Sequence, residues 1–142
     1  MDKLSRFGIW LNRVVLVFVS VLFTIIALKS ILHPLESSAV SDISLGSATA
    51  FSVVRVSMGA FPLSFAIITL TSIFSKRQIF RGIFSVFIIA AITTIVRIIS
   101  LVVDGHSDFG QKVLVTEILL TILSIIGLLL ELRREKKQRV NS

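Results

Sequence analysis

The feature that most constrains this chain is a set of four long apolar blocks that fill most of its length. The blocks cover residues 9–32, 48–74, 83–103 and 113–130. Their lengths are close to the ~20 apolar residues that an α-helix needs to cross a bilayer. Helices are favoured because each satisfies its own backbone hydrogen bonds in lipid, and the blocks lack the period-2 alternation of barrel strands. We therefore predict an all-α, four-transmembrane-helix bundle, an integral membrane protein forming a single domain over residues 1–142.

Composition and charge support a membrane environment and exclude several classes of site. Charged residues make up 16% of the chain, whereas soluble domains carry about 25%. The chain has no cysteine, which excludes disulfides, thiolate metal sites and a cysteine nucleophile. The net charge is +7, and the basic residues flank the apolar blocks, so membrane lipids are the expected partners and nucleic acid is not. His33 and His106 stand in separate links, so we predict no metal site and no cofactor.

The distribution of basic residues predicts the orientation. They cluster before the first block, between the second and third, and after the fourth: Lys3, Arg6, Arg13; Lys76, Arg77, Arg81; Arg133, Arg134, Lys136, Lys137, Arg139. The two remaining links are mainly acidic. By the positive-inside rule both termini are cytoplasmic. Residues 131–142 are then a basic, solvated cytoplasmic tail, and residues 33–47 are an external loop with a short amphipathic turn.

Four charged residues lie inside or at the ends of the apolar blocks and predict a polar site. Arg55, Arg97, Asp104 and Glu117 all fall in the outer half of the membrane under this topology. Helical spacing places small and polar residues on one face of each helix. These faces are Ala48, Ser52, Arg55, Gly59, Pro62, Ala66 and Thr69; Thr93, Arg97, Ser100 and Asp104; and Glu117, Thr121 and Ser124. Because charges at this depth usually face the interior in pairs, we predict that the four meet in one cluster.

The role of this cluster is open between several hypotheses. In the structural one, the carboxylates neutralise the arginines and fix the helix register. In the binding one, two guanidinium groups fork onto the phosphate or carboxylate of a lipid headgroup or small anion, or the cluster receives a partner helix. A small homo-oligomeric transporter, proton-coupled through Glu117, is a third. An enzyme acting on a lipid-like substrate is the weakest, because no nucleophile–base pair is evident and no catalytic residue can be assigned.

Short motifs resemble those of a known family. They are Arg55-Val-Ser-Met-Gly59-Ala60, then Arg97 followed by Asp104-Gly105, then Glu117 in the last block. This pattern is similar to the DUF4345 family, small four-helix bacterial membrane proteins with R-x-x-x-G-G and R…DG elements and a late glutamate. The likeness covers roughly residues 48–130, with Ala60 in place of the second glycine and Val56 where a glycine is common. It implies helix packing at Gly59, Ala60 and Gly105 and a bacterial cytoplasmic (inner) membrane, and it implies no activity.

Overall fold

The computed structural model describes residues 3–41, 43–103 and 108–140, and nearly all of them are helical. The elements are α1 (Lys3–Leu32), α2 (Pro34–Ala39), α3 (Ala48–Val54), a π-helical segment (Arg55–Ala60), α4 (Phe61–Ser72), α5 (Lys76–Val103) and α6 (Asp108–Val140). No strand occurs in these ranges. The predicted all-α class is confirmed, and α2 lies where the sequence predicted a short turn in the link of residues 33–47.

Four helices are long and apolar enough to cross a membrane. They run over Arg6–Leu32, Ala48–Ser72, Gln78–Val103 and Phe109–Arg134. In their most apolar windows at most 33% of the residues are buried within the protein. Apolar side chains exposed on this scale need a lipid environment, because water-soluble monomers rarely leave such extensive patches uncovered. The four predicted spans are therefore confirmed by length and composition, and this is a multi-pass membrane protein.

The contacts group into two compact units. One contains residues 1–16 and 72–142 and is called here the α5–α6 unit; the other contains residues 17–71 and is called the hairpin unit. In the α5–α6 unit, α5 packs along α6. Its core is made of fully or almost fully buried aliphatic side chains: Leu16, Ile79, Ile83 and Val86.

The hairpin unit is held by a mixture of aromatic, aliphatic and hydroxyl contacts. Phe23 and Phe65 meet edge to face with ring centroids 5.1 Å apart, a geometry that the ring quadrupoles favour. The hydroxyls of Ser20 and Thr69 lie 2.8 Å apart in a hydrogen bond. At the start of α3, Ser47 Oγ accepts a hydrogen bond from the Ala50 N–H, which satisfies one of the free donors of the first turn.

Candidate functional site

The second span contains a wide helical turn where the arginine–glycine motif lies. From Arg55 to Ala60 the backbone is π-helical, and the Phe61 N–H donates to the Val56 carbonyl, five residues earlier. Pro62 follows directly. Proline has no N–H to donate, and in a regular α-helix its ring would clash with the carbonyl four residues before it, here Met58. The wide turn relieves this clash and marks the span as locally irregular, as π-turns at functional sites often do.

The π segment changes which side chains of the second span are buried. The predicted stripe is correct from residue 59 onward, where Gly59, Ala66 and Thr69 are buried. It is wrong on the N-terminal side of residue 59, because Val54 is 4% exposed, whereas Ser52 and Arg55 are exposed. A turn closed by i→i+5 hydrogen bonds stacks residue 54, rather than 55, over residue 59. The extra residue therefore turns Arg55 out of the packed face.

Gly59 supplies close packing at this turn. A Cβ built on Gly59 would lie 2.6 Å from Ile31 Cγ1, so this glycine lets the second span approach α1. Its neighbour Ala60 is exposed. Of the two positions predicted to pack closely, Gly59 makes the contact with α1. Ala60 is accommodated without crowding.

Arg55 reaches back to the end of α1. Its Nε donates to the Ile31 carbonyl oxygen over 3.3 Å. This carbonyl is among the last four of α1, which have no partner inside the helix. A cation there also complements the negative end of the helix dipole. Within the described part of the chain, no carboxylate forms an ion pair with Arg55.

Arg55 lines a pocket of about 350 Å³ in the hairpin unit. The other lining residues come from the end of α1, the start of α2 and α3: Leu32, His33, Pro34, Leu35, Glu36 and Phe51. The described lining therefore combines a guanidinium, a carboxylate and an imidazole with an aliphatic and aromatic wall. As for Arg55, no ion pair of the Glu36 carboxylate is seen among the residues that the structure describes.

Arg97 and Glu117 form a two-point ion pair between α5 and α6. Arg97 Nη2 lies 3.0 Å from Glu117 Oε1, and Arg97 Nε lies 3.2 Å from Oε2. The side chains are 32% and 15% exposed, respectively. One turn away, the Thr94 and Thr121 hydroxyls are 3.3 Å apart. This parallel-fork geometry is the strongest form of the arginine–carboxylate interaction.

The face of α5 that meets α6 differs by one residue from the predicted face. Thr94 pairs across the helices, whereas Thr93 is exposed and donates to the Ile89 carbonyl of its own helix. Residues three or four positions apart lie near the same face of a helix. Thr94 and Thr93 precede Arg97 by three and four residues, so spacing alone places either of them on the face of Arg97. The contact with Thr121 shows that Thr94 is the one that faces α6.

Of the predicted four-residue cluster, the structure brings together Arg97 and Glu117. Arg55 lies in the hairpin unit, against Ile31. Asp104 and Gly105 lie outside the described residues. The meeting of all four residues and the packing role of Gly105 therefore stay predictions. No group of three or more potential metal-binding side chains is found in the described ranges.

A comparison with protein families includes the motif residues from Arg55 to Glu117. The sequence model described as "Domain of unknown function (DUF4345)" matches residues 11–128. The chain belongs to the DUF4345 family. The match begins inside α1 and so extends further toward the N-terminus than the motifs alone suggested. No curated protein and no solved structure matches the chain, so the function of this DUF4345 protein has to be argued from its own geometry.

The polar face of α6 in this DUF4345 protein extends beyond the predicted residues Glu117, Thr121 and Ser124. On α6, the residues Glu117, Thr121, Ser124, Gly127, Glu131 and Arg134 recur at intervals of three or four and share one side of the helix. Ser124 is fully buried and Glu131 is 1% exposed. Glu131 forms an ion pair with Arg134, whose side chain is 9% exposed. The interpretation of residues 131–142 as a solvated tail is therefore wrong for Glu131 and Arg134.

Asn12 of α1 packs onto this α6 face. Its Nδ2 donates to the Gly127 carbonyl over 3.2 Å, and the residue is fully buried. A Cβ on Gly127 would lie 2.2 Å from Asn12 Oδ1. In the sequence, the seven-residue spacing of Glu117, Ser124 and Glu131 indicates that this face continues past residue 130. Hydropathy alone assigns Glu131 to the basic tail, because it directly follows the apolar block of residues 113–130.

Proposed function

We propose that this DUF4345 protein is a multi-pass protein of a bacterial cytoplasmic membrane, with both termini inside, that binds a phosphate-bearing headgroup at Arg55. The observation that supports this most is the state of the two arginines. Arg97 has a carboxylate on its fork, whereas Arg55 lines a pocket and has no carboxylate partner among the described residues. In this proposal the Arg97–Glu117 ion pair fixes the register of α5 against α6, and Arg55 binds the ligand.

The hydrogen bonding of Arg55 leaves it equipped for a phosphate. A guanidinium has five N–H donors, and the bond from Nε to Ile31 uses one of them. The two terminal nitrogens make no hydrogen bond to the residues that the structure describes and can form the parallel hydrogen bonds that arginine makes with phosphate oxygens. The bond to Ile31 also restrains the side chain before the ligand arrives, which lowers the entropy lost on binding.

The depth of Arg55 fits a headgroup at the membrane interface. Arg55 lies ~10 Å along the span from Ala48, at 1.5 Å of rise per residue. The flexible side chain extends toward the end of α1, where the pocket is lined by His33 and Glu36 of the link that follows. An arginine at this depth normally reaches toward the interface, where phosphate groups lie.

The test compares Arg55→Met with the matched control Lys29→Met, which removes one positive charge from the same unit outside the pocket lining. Purified protein is mixed with phosphatidylglycerol or with inorganic phosphate, and bound species are counted by native mass spectrometry. A hydrogen bond to a charged group contributes about 1.5–3 kcal/mol. The amount of lipid bound to Arg55→Met should therefore fall at least roughly tenfold below that of the wild type. Lys29→Met should match the wild type.

Two outcomes bear on the source of the phosphate and on the proposal itself. Competition by micromolar inorganic phosphate would identify a free anion as the ligand, whereas competition only at far higher concentrations supports a lipid. Equal lipid retention by Arg55→Met and Lys29→Met, with both variants melting like the wild type, would exclude Arg55 as the binding residue.

A further inference from the structure

The pocket that contains Arg55 also contains a carboxylate of opposite charge. Glu36 and Arg55 both line it, and they do not form an ion pair with each other. Building on the proposed phosphate binding at Arg55, we infer that the ligand is a phospholipid with a zwitterionic phosphoethanolamine headgroup. Its phosphate binds Arg55 and its primary ammonium binds Glu36.

The charges of the pocket argue for a ligand that carries both signs. A phosphate alone would satisfy Arg55 and place a second negative charge in a small pocket with the Glu36 carboxylate. Like charges that share a site disfavour each other. A headgroup that presents an ammonium to Glu36 replaces this repulsion with a charge-assisted hydrogen bond.

The size and the rim of the pocket argue for a lipid. Its volume of about 350 Å³ lies at the lower end of the ~300–1,000 Å³ range of ligand pockets, which suits a small headgroup. Leu32 and Leu35 line it, and their side chains are 67% and 61% exposed. Exposed aliphatic side chains beside a polar pocket provide an apolar surface for the glycerol and the first acyl carbons.

The chemistry of the amine predicts selectivity against choline lipids. A primary ammonium has three N–H donors for a carboxylate, whereas a trimethylammonium group has none and is recognised through aromatic faces. Among the described lining residues, Phe51 provides the one benzenoid ring, and a single such ring provides little of the cage that choline needs. We expect phosphatidylethanolamine to bind at least tenfold more tightly than phosphatidylcholine.

The test uses the full-length protein with phosphatidylethanolamine, phosphatidylglycerol and phosphatidylcholine of identical acyl chains, mixed in equal amounts, with bound lipids counted by native mass spectrometry. Glu36→Gln should abolish the preference for phosphatidylethanolamine over phosphatidylcholine and leave phosphatidylglycerol bound. Glu36→Asp, which keeps the charge, should retain part of the preference. Glu36 is exposed, so both variants should melt like the wild type.

Each outcome separates this inference from the proposed function. Equal binding of the ethanolamine and choline lipids, or an unchanged preference in Glu36→Gln, overturns the zwitterionic assignment while Arg55→Met still reports on phosphate binding. Loss of the ethanolamine lipid in Arg55→Met supports phosphate binding at Arg55, and loss of the preference in Glu36→Gln supports the zwitterionic assignment. Free O-phosphoethanolamine should compete only weakly, and displacement of the lipid by micromolar concentrations of it would overturn the assignment to a lipid.

Discussion

At the scale of single residues, the tightest restraint is the contact between Gly127 and Asn12. The Asn12 amide lies against the α6 backbone, with its nitrogen bonded to the Gly127 carbonyl. Its oxygen makes no hydrogen bond to any described residue and occupies the space where a side chain at 127 would begin. Buried amides held this closely specify where two helices meet, since no other register offers the same partner.

We expect Gly127→Ala to destabilise the α5–α6 unit by about 1–3 kcal/mol, because overpacking forces the asparagine from its position. Thermal or denaturant unfolding in detergent measures the loss. Gly46→Ala is the matched control, since a Cβ there meets nothing within 4 Å, and it should change stability by less than ~0.5 kcal/mol.

The double variant Asn12→Ala/Gly127→Ala separates crowding from the intrinsic effect of alanine in α6. Relief of the clash predicts that it is more stable than the sum of its single variants indicates, because residues in direct contact do not behave additively. Strict additivity would show that the amide moves aside without cost.

The ion pair between α5 and α6 makes a second prediction at this scale. Glu117→Ala leaves the Arg97 guanidinium without its partner, which for a fully buried pair costs about 3–5 kcal/mol. Arg97 is 32% exposed, so we expect a smaller loss of about 1–3 kcal/mol. Unfolding in detergent again gives the measurement.

Arg97→Met combined with Glu117→Leu should recover most of the stability lost in Glu117→Ala, since an apolar pair of similar volume can replace a buried ion pair. Retention of the lipid ligand by this double variant is expected, because the ligand is assigned to the hairpin unit. Loss of lipid from a well-folded double variant would show that the pair takes part in binding.

At the scale of elements, the π segment decides where Arg55 points. Hydrophobic periodicity could predict that residues 48–72 form one helix, because apolar content and length are independent of small changes in helical pitch. The same periodicity could not predict the exposure of Arg55, since it assumes 3.6 residues per turn throughout. Pro62 was visible in the sequence, but a proline in a membrane helix can be accommodated by a kink, by water or by a wide turn.

We expect Pro62→Ala to restore an α-helical turn, because it returns the missing N–H and removes the clash with the Met58 carbonyl. Residues before the segment should then rotate by about 100° relative to those after it, the angle of one residue in an α-helix. Arg55 would turn toward the packed face, and binding of the phosphate lipid should fall.

Spin labels at single introduced cysteines can measure this rotation without background, because the chain has no cysteine. In the wild type, a label at Ser52→Cys should be mobile and one at Val54→Cys should be restricted. Adding Pro62→Ala should reduce this contrast. Unchanged mobilities would show that the wide turn is maintained by Gly59 and Ile31 rather than by the proline.

At the scale of the whole molecule, the sequence predicted the number and the approximate limits of the spans. The apolar blocks are separated by charged or turn-forming residues, so each span is bounded in the sequence itself. The predicted fourth span ends at residue 130 because Glu131 is charged, whereas the helix that is long and apolar enough to cross a membrane continues to Arg134. The burial of Glu131 depends on the neighbouring Arg134 and on packing around α6, which a hydropathy profile does not contain. The pairing of Arg97 with Glu117 was predictable because charges at membrane depth require partners.

The orientation can be tested with reporter fusions that are active only outside the cytoplasm. Fusions after Lys76 and Ser142 should be silent, and fusions after Ser41 and Asp108 should be active, because the basic links remain in the cytoplasm. Strong external activity after Ser142 would contradict the four-span topology with both ends inside.

The pocket has a consequence for the order in which the protein is made. Its lining residues in the part of the chain that the structure describes lie between Leu32 and Arg55, so none of these is translated after the first turns of the second span. Closing a short stretch of chain costs little entropy, and the hydrogen bond from Arg55 to Ile31 joins the two sides of that stretch. The pocket can therefore form as the second span enters the bilayer, while α5 and α6 are still to be synthesised. A headgroup bound at that moment would already be in place while the remaining spans are inserted.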